Sequence, residues 1–314
     1  MFKLFSGTAH PKLIKDVSAL LNIPLSKAEI VRFGNSEVKV TIQEDVRNQT
    51  CVVIQPTSNP TDTNLVELLF FCDALKRQEA KVVIGYIPYF GYAKQDIQHR
   101  IGECVSANVV IHMLESIGFY KIYVIDLHDE ATGGAFCIPF KNLTAFPILA
   151  KHTRNFFSNL TGSTDLIRST VLVSPDQGAV EKVRNFGEVF FGTASFSEAV
   201  IEKKRNLDMI HKAKPLDLYG EVRGKIALIV DDMIVSGSTL MPAVELCLKR
   251  GAKEVYAAVV HHDFTKDSPQ MLQNSKIKKF FTTNTIALRK NQEFPKLEEI
   301  SVAPLLAAEL EKYK

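Results

Sequence analysis

Cysteine is scarce in this sequence, with five in 314 residues, and no two of them have the Cys-x-x-Cys spacing. The odd count and the wide gaps argue against a disulfide framework and against a zinc ribbon. We therefore interpret the cysteines as buried thiols of a protein kept in a reducing cytosol.

Long hydrophobic runs are also missing. No stretch approaches the roughly 18 uninterrupted apolar residues of a membrane-spanning helix. The first twelve residues, MFKLFSGTAHPK, contain no long apolar segment of the kind found in a secretory signal. We expect a cytoplasmic protein without a membrane partner.

A strong excess of one charge is absent as well. The 38 Lys and Arg residues nearly balance the 35 Asp and Glu residues, which leaves a net charge of +3. Nucleic-acid-binding proteins usually carry a clustered basic excess, whereas the closest approach here is the short run Lys203-Lys204-Arg205. We expect no nucleic-acid partner, and we expect any anionic ligand to be small and locally bound.

Short apolar segments alternate with segments of helical periodicity along the whole chain. Nearly continuous apolar runs are typical of parallel strands that are covered on both faces. The predicted strands cover residues 51–55, 81–87, 121–126, 170–174, 225–230 and 254–260. The predicted helices cover residues 63–78, 105–117, 145–157 and 237–250. This alternation predicts the α/β class, with mainly parallel sheets flanked by helices.

The length of the chain suggests two domains, since domains commonly have about 100–200 residues. The alternating pattern runs through two halves of similar size, and a polar stretch at 155–168 separates strands of the two halves. We predict an N-terminal domain at 1–145 and a C-terminal domain at 146–300. The segment 195–220 is long, basic and weakly periodic, so we expect a loop or a hairpin there.

One segment combines two carboxylates with a turn of small residues. Residues 229–240 read IVDDMIVSGSTL, so a predicted strand ends in Asp231 and Asp232, and a turn and a helix follow. Ligands of open parallel sheets bind beyond the carboxyl ends of the strands, and a helix N-terminus offers N–H groups to phosphate. The carboxylates can accept hydrogen bonds from sugar hydroxyls. The residues that can hold a phosphate are Ser236, Gly237, Ser238 and Thr239.

The loop chemistry alone is equally consistent with a capped helix that follows a strand. However, the segment resembles the phosphoribosyl-binding signature of the type I phosphoribosyltransferase superfamily. It departs from that signature at Val235 and Ser238, where Asp and Gly are common.

Nearly the whole chain resembles a narrower family, ribose-phosphate diphosphokinase, also called phosphoribosyl pyrophosphate synthetase. The blocks that carry this resemblance are LFSG at 4–7, RFGNSE at 32–37, NLVELL at 64–69, IPYFGYAKQD at 87–96, DLH at 126–128, SPD at 174–176 and SVAPLL at 301–306. The resemblance implies two tandem phosphoribosyltransferase-like domains, with the segment 301–314 packed back on the first domain. It also implies a homo-oligomer, a hexamer built from dimers.

The activity implied by the resemblance is transfer of the terminal diphosphate of ATP to the 1-hydroxyl of ribose 5-phosphate. The products are phosphoribosyl pyrophosphate and AMP, and the cofactor is Mg²⁺. The family implies His128 and Asp176 as metal-site residues. Magnesium takes few protein ligands and mostly oxygen, so a histidine ligand is unusual, and a lone histidine is more often a surface or core residue. Arg47 and Ser301 match positions that the family links to regulation by phosphate and ADP.

Two segments are implied to contact ATP. Phe33, Asn35 and Glu37 would share one face of a strand or an extended loop. An aromatic face with polar neighbours suits adenine, and an ordinary exposed hairpin is the alternative interpretation. The family places this element against the ATP of a neighbouring subunit. The second segment matches the family's ATP-contacting loop through Lys94, Gln95, Asp96 and Arg100.

The basic run has two interpretations. A run of charges is usually a solvated face. In the family, a Lys-x-Arg motif on a flexible loop closes over the diphosphate, and Lys203 and Arg205 have that spacing. Transfer of this type depends on positioning and on positive charge near the reacting phosphorus, so the resemblance implies that both residues are catalytic.

The sequence departs from the family mainly around the nucleotide. Lys94 replaces the usual arginine, so a point charge replaces a bidentate fork, and Asn35 replaces a common aspartate. The other departures are Ile97, Gln98, Gly102, Asp129 and Gly133. One alternative is therefore a non-catalytic regulatory homologue, which the retained sugar, metal and loop residues argue against. Another is a phosphoribosyltransferase, which would be shorter and would lack the block at 87–96.

Overall fold

The computed structural model describes residues 2–161, 166–203 and 216–314. The chain forms two compact units. The first contains Met1–Thr144, Thr285–Ala287 and Ser301–Lys314, and the second contains Ala145–Asn284 and Leu288–Ile300. No helix in the described part of the chain is long and apolar enough to cross a bilayer.

The first unit is built on a five-stranded parallel sheet. Its strands are β1 (Lys3–Ser6), β4 (Thr50–Ile54), β5 (Val82–Ile87), β6 (Lys121–Ile125) and β7 (Phe140–Leu143), in the spatial order β1-β4-β5-β6-β7. A separate antiparallel pair is formed by β2 (Ala28–Arg32) and β3 (Val38–Ile42). The central strands β4, β5 and β6 are buried almost throughout, which explains their continuous apolar sequences.

The helices of the first unit are α1 (Pro11–Leu21), α2 (Thr61–Arg77), α3 (Ser106–Ile117) and α9 (Ala303–Leu310). Helices α2 and α3 contribute Leu68, Phe71 and Leu114 to the core that also contains the inner residues of the sheet. The C-terminal helix α9 packs against α1.

The second unit is built on a seven-stranded sheet. Its strands are β8 (Thr170–Ser174), β9 (Glu198–Lys203), β10 (Leu216–Tyr219), β11 (Ile226–Ile234), β12 (Glu254–His262), β13 (Ile277–Thr283) and β14 (Leu297–Ile300). The spatial order is β10-β9-β8-β11-β12-β13-β14, and every pair is parallel except β10 with β9. The helices are α4 (Phe146–Thr161), α5 (Leu166–Ser169), α6 (Val180–Phe191), α7 (Leu240–Lys249) and α8 (Ser268–Asn274).

The predicted fold class is confirmed, because both main sheets are largely parallel and are flanked by helices. The order of strands and helices matches the predicted alternation, and β8 has the predicted bounds. In the segment 195–220, the described ends form the antiparallel pair β9 and β10.

One detail of the prediction was wrong. The predicted strand ended at residue 230, or in Asp231 and Asp232 at the latest, whereas β11 continues to Ile234. The cause is pairing with β12, which extends the backbone ladder beyond the apolar run, from Asp231 opposite Val259 to Ile234 opposite His262. The polar stretch at 155–168 lies between β7 and β8, and its first part belongs to helix α4.

Candidate active site

The two carboxylates of the segment 229–240, Asp231 and Asp232, lie in the second half of β11. Successive side chains of a strand point to opposite faces of the sheet, so Asp231 and Asp232 have different surroundings. Asp232 is buried and forms an ion pair with Lys182 of α6, with 2.8 Å between Nζ and Oδ2. Asp231 is half-buried, and one of its carboxylate oxygens accepts a hydrogen bond from the backbone N–H of Asp232.

The electrostatic surroundings of Asp231 favour its uncharged form. Burial raises the pKa of Asp231 well above its ordinary value, and the carboxylates of Asp232 and Asp176 raise this pKa further. The hydrogen bond from Asp232 N–H acts in the opposite direction without cancelling the shift. A group that donates hydrogen bonds or carries positive charge would therefore be bound favourably beside Asp231.

The turn after β11 brings small polar residues to the start of α7. Ser236, Ser238 and Thr239 are exposed, and the Oγ of Ser236 donates a hydrogen bond to the Oγ of Ser238 over 3.1 Å. Gly237 has φ +79°, a left-handed conformation that favours glycine, and a Cβ at this position would lie 2.2 Å from Cε of Met271. Thr239 is the N-cap of α7, and its side chain accepts no capping hydrogen bond from a described backbone N–H.

The body of this turn is anchored from α8. The Oγ of Ser268 donates a hydrogen bond to the carbonyl oxygen of Val235 over 2.6 Å, and the N–H of Thr265 donates to the same oxygen over 3.2 Å. The hydroxyls of the turn are thus held at the N-terminal end of a helix, where backbone N–H groups and the helix dipole favour an anion.

Asp176 follows β8, which is the parallel neighbour of β11. Its side chain is exposed, and its Oδ1 accepts a hydrogen bond from Ala179 N–H over 3.1 Å. Ser174 donates from Oγ to the backbone carbonyl of Asp176 over 2.6 Å. Within the second unit, the sheet therefore brings Asp176 close enough to Asp231 to affect its pKa.

Exposed carboxylate oxygen is the donor type that magnesium prefers, and magnesium commonly retains several waters. Asp176 fits such an ion on these grounds. The described residues contain no group of three or more His, Cys, Asp or Glu side chains arranged as a closed metal cage. The donor set suits a cation that a substrate phosphate also binds.

His128 belongs to the first unit and is half-buried after β6. The chain turns sharply before it, since Asp126 has φ +41°. The N–H of Asp126 donates to the carbonyl of Leu143, and the N–H of Leu127 donates to Oδ1 of Asn142 over 3.0 Å. These contacts with β7 and its end fix the backbone that carries His128.

Phe33, Asn35 and Glu37 lie in the turn that joins β2 to β3. Of the two interpretations of this segment, a strand or extended loop with these residues on one face and an ordinary hairpin, the structure shows the hairpin, because Gly34 and Asn35 are turn residues and Ser36 has φ +70°. The N–H of Phe33 donates to the carbonyl of Glu37 over 2.9 Å, which closes the turn. The side chain of Phe33 is 46% exposed, so an aromatic face is still available to a ligand.

The second candidate nucleotide segment is an irregular loop between β5 and α3. Lys94, Gln95 and Arg100 are exposed, whereas Asp96 is half-buried. Oε1 of Gln95 accepts a hydrogen bond from the hydroxyl of Ser106 at the start of α3. Oδ2 of Asp96 accepts a longer one of 3.4 Å from Thr132. Two charged side chains of this loop are thus directed to solvent rather than into the core.

The four remaining predicted residues are Lys203, Arg205, Arg47 and Ser301. Arg205 lies outside the described residues, and Lys203 ends β9 without a described side chain. Arg47 is exposed and pairs with Asp45 through its Nε and Nη2 atoms, and this hydrogen-bonded pair lowers the pKa of Asp45 to about 2. Ser301 is exposed, and its Oγ accepts a hydrogen bond from Ala303 N–H.

Family models match both parts of the chain. A model described as the N-terminal domain of ribose phosphate pyrophosphokinase matches residues 2–118, and a phosphoribosyl synthetase-associated domain matches residues 170–313. A ribose-phosphate pyrophosphokinase of Ralstonia nicotianae is 38% identical over 97% of this chain and 92% of its own length. The Bacillus subtilis protein of that name is 33% identical over 97% of this chain and 92% of its own length.

The chain belongs to the ribose-phosphate pyrophosphokinase family.

A solved structure supports the membership. The crystal structure of phosphoribosylpyrophosphate synthetase from Mycobacterium smegmatis superposes with a TM-score of 0.89 and is 31% identical. The comparison covers 99% of this chain and 98% of the mycobacterial chain. The expected family resemblance is therefore confirmed for essentially the full length.

Two residues of this pyrophosphokinase family member escaped the sequence interpretation. Lys182 pairs with Asp232, and Glu67 of α2 is buried at the base of the β2–β3 turn. The sequence position of Lys182 was a usable signal. Lys182 lies in the first turn of the helix after β8, and that turn must lie at the carboxyl edge of the sheet. For Glu67 the NLVELL block gave only a helical pattern, and no local feature identified its distant partners.

Proposed function

We propose that this chain transfers the terminal diphosphate of ATP to the 1-hydroxyl of ribose 5-phosphate, forming phosphoribosyl pyrophosphate and AMP. The observation that carries the proposal is the pair of acids at the end of β11, followed by the hydroxyl-rich turn, in a chain similar throughout to ribose-phosphate pyrophosphokinases. Two domains at 1–145 and 146–300 remain the organisation that we propose.

The sugar phosphate would bind to the second unit. Its 5-phosphate would accept hydrogen bonds from Ser236, Ser238 and Thr239 and from the backbone of Gly237, where the helix dipole of α7 also favours negative charge. The ring hydroxyls would donate to the carboxylates of Asp231 and Asp232. Lys182 supports this assignment because its ion pair holds the Asp232 side chain in one position.

ATP would be bound by residues of the first unit. In our proposal, Phe33 supplies an apolar face for the adenine, and the polar residues Asn35 and Glu37 bind beside it. The irregular loop between β5 and α3 would supply Lys94, Gln95, Asp96 and Arg100. Lys94 and Arg100 would neutralise the negative charge of the phosphates. The exposure of both cations supports this role.

His128 and Asp176 would hold Mg²⁺, together with phosphate oxygens and water. The bound ion would neutralise charge on the diphosphate during transfer. Lys203 and Arg205 would supply further positive charge at the reacting phosphorus, and one such cation contributes on the order of 10³-fold in related transfers. The 1-hydroxyl would attack the β-phosphorus in line, with AMP as the leaving group.

A non-catalytic regulatory homologue is the second candidate. The observation that favours it is the altered nucleotide loop, in which Lys94, Ile97 and Gln98 are exposed at the positions of departure from the family. We further propose a homo-oligomer, a hexamer built from dimers, in the cytoplasm. Arg47 and Ser301 are proposed as regulatory residues.

An assay of both products tests the proposal. Purified protein is mixed with ribose 5-phosphate and Mg-ATP, and AMP and phosphoribosyl pyrophosphate are measured with and without added phosphate. We expect both products in equal amounts, and turnover should fall by about 10³-fold in Lys203→Ala while ribose 5-phosphate binding persists. Absence of both products under all conditions would favour the regulatory homologue, and consumption of phosphoribosyl pyrophosphate would indicate a phosphoribosyltransferase.

A further inference from the structure

A fully buried carboxylate lies in the first unit. The side chain of Glu67 on α2 has 0% exposure. Its Oε1 accepts hydrogen bonds from Thr8 N–H over 2.7 Å and from Nε2 of Gln55 over 3.0 Å. Its Oε2 accepts from the hydroxyl of Thr8 over 2.7 Å and from Nη2 of Arg32 over 2.8 Å. One carboxylate thus receives four donors from three separate segments.

Two of these segments are themselves rigidly held. Gln55 follows β4 and is completely buried, and its Oε1 accepts a hydrogen bond from Ala9 N–H over 3.0 Å. Its side chain also packs against Gly7, where a Cβ would lie 2.0 Å from Oε1. Thr8 and Gln55 therefore fix the position of the Glu67 carboxylate relative to the main sheet.

The third segment is the β2–β3 hairpin, which is not part of the main sheet. Arg32 is the last residue of β2 and pairs with Val38 across the hairpin, so it lies immediately before the turn at 33–37. The two-stranded ladder is separate from the five-stranded one. Side-chain contacts with α2 help to orient this hairpin, and the Arg32–Glu67 ion pair provides such a contact at the turn end.

The chemistry of this pair suits a positioning function. A buried charge is costly unless it is paired and hydrogen-bonded, so the carboxylate strongly favours arrangements that keep its donors in place. A charge-assisted hydrogen bond is also shorter and more directional than a neutral one. Movement of Arg32 would weaken a contact with a carboxylate that has no access to water.

We propose that Glu67 is a positioning residue that orients the β2–β3 turn for nucleotide binding through Arg32. The inference rests on the proposed function, because the turn carries Phe33, Asn35 and Glu37, which we assign to ATP. Arg32→Met keeps the length and apolar stem of the side chain and removes the ion pair.

The matched control is Arg77→Met. Arg77 also lies on the first unit and pairs with a carboxylate, Asp73, but both residues are on α2, so this ion pair links two turns of one helix. Hydrogen–deuterium exchange should become faster in a peptide that covers residues 28–42 in Arg32→Met and should remain at the wild-type rate in Arg77→Met. The KM for ATP should rise about tenfold or more in Arg32→Met, while the KM for ribose 5-phosphate stays within about twofold.

A conservative variant provides a second comparison. Arg32→Lys restores a positive charge without the planar fork, so its exchange rate and its KM for ATP should lie between those of wild type and Arg32→Met. If Arg32→Met folds poorly, Glu67→Gln retains the shape of the side chain and should change exchange and ATP affinity in the same direction.

The outcomes separate this inference from the proposed function. If wild type makes no AMP, the proposed function fails, and calorimetric ATP binding by the same variants then decides the inference. The inference is supported if Arg32→Met, but not Arg77→Met, shows both weaker ATP binding and faster hydrogen–deuterium exchange in the hairpin. Equal exchange and equal ATP affinity in Arg32→Met and Arg77→Met would overturn it, as would a wild-type protein that does not bind ATP.

Discussion

Adjacent aspartates with identical chemistry are made different by their neighbours. Asp232 is buried and paired with Lys182, whereas the pKa of Asp231 is raised by burial first and by the neighbouring carboxylates second. The sequence allowed both to be chosen as sugar-binding residues because of their place before a turn. It could not distinguish them, since Lys182 and Asp176 belong to other segments and only the folded sheet brings them near.

The Lys182–Asp232 pair gives a first prediction. In Lys182→Met the buried Asp232 carboxylate loses a charged hydrogen-bond partner, so the free energy of unfolding should fall by about 2 kcal/mol. The KM for ribose 5-phosphate should rise about tenfold, and the KM for ATP should change little. Chemical denaturation and steady-state kinetics measure these effects.

The control for this prediction is Lys276→Met. Lys276 pairs with Glu245 in the same unit, but both side chains are more than 60% exposed. Such exposed pairs contribute about 0–1 kcal/mol, so this variant should resemble wild type. Equal losses of stability and of sugar affinity in the two variants would contradict a specific role for Lys182.

The raised pKa of Asp231 predicts a pH-dependent stability. In the unfolded chain this carboxyl should lose its proton near its ordinary pKa of about 3.9, whereas in the folded protein it retains the proton to a higher pH. Between these two pKa values, the folded state therefore binds more protons than the unfolded state. The free energy of unfolding should fall progressively as the pH rises through this range, because ionised Asp231 destabilises the fold.

Asp231→Asn should remove this destabilisation. The ligand-free variant should have a higher Tm than wild type at neutral pH, and the difference should disappear below about pH 4, where both side chains are uncharged. The same variant should lose affinity for ribose 5-phosphate. Thermal denaturation across pH measures the first effect, and a variant less stable than wild type at pH 7 would contradict the account.

Individual elements bring the candidate site residues to their places. The sequence predicted the strands and helices well because apolar runs and helical periodicity are local. It placed the end of β11 too early, since the ladder with β12 continues through polar residues. It left a strand and a hairpin both open at residues 33–37, because the alternation of Phe33, Asn35 and Glu37 also suits a strand. The left-handed backbone of Ser36, which decides for the hairpin, is not visible in the sequence.

Helix α2 contacts both candidate nucleotide segments. Glu67 binds Arg32 before the hairpin turn, and Asp62 accepts a hydrogen bond from the hydroxyl of Tyr92 before the Lys94 loop. That hydrogen bond raises the pKa of Tyr92, whose backbone has φ +67°. A left-handed backbone conformation costs free energy at an aromatic residue. The hydrogen bond from Tyr92 to Asp62 therefore helps to retain this loop conformation.

The turn between β11 and α7 gives a prediction for an element. In Gly237→Ala, the left-handed backbone costs about 1–2 kcal/mol, and the new Cβ would meet Met271. Ribose 5-phosphate affinity should fall by at least about tenfold, because the backbone around the phosphate must shift. Calorimetry with ribose 5-phosphate provides the measurement.

Gly224→Ala separates backbone strain from the site itself. Gly224 has φ +73°, and no described heavy atom lies within 4 Å of an added Cβ. The variant should lose similar intrinsic stability, about 1–2 kcal/mol, while its affinity for ribose 5-phosphate remains that of wild type. If both glycine variants kept full affinity, the turn would not be the phosphate site.

At the scale of the whole molecule, the first unit is discontinuous in sequence. Ser301–Lys314 belongs to it, together with Met1–Thr144. The hydroxyls of Tyr123 and Tyr313 are 2.6 Å apart, and Lys141 pairs with Glu309 over 2.8 Å. Sequence periodicity offers no information on such long-range contacts, so only the family resemblance suggested that the C-terminal segment packs on the first domain.

Helix α9 gives a prediction about how firmly the C-terminal segment is attached to the first unit. Leu306 is fully buried, so Leu306→Ala should lower the free energy of unfolding by about 2–5 kcal/mol. The neighbouring Leu305 is only half-buried, and Leu305→Ala should cost clearly less. Denaturant titration compares the two variants, and equal small losses would contradict a firm attachment of α9 to the first unit.

The central claim is that the sugar 1-hydroxyl takes up the diphosphate of ATP. The most direct test is an NMR measurement on a reaction with ribose 5-phosphate labelled with ¹³C at carbon 1. We predict a carbon-1 signal split by coupling to phosphorus, as a new C–O–P linkage requires, with one AMP formed for each product. An unsplit carbon-1 signal, or conversion of ATP to ADP, would contradict the account.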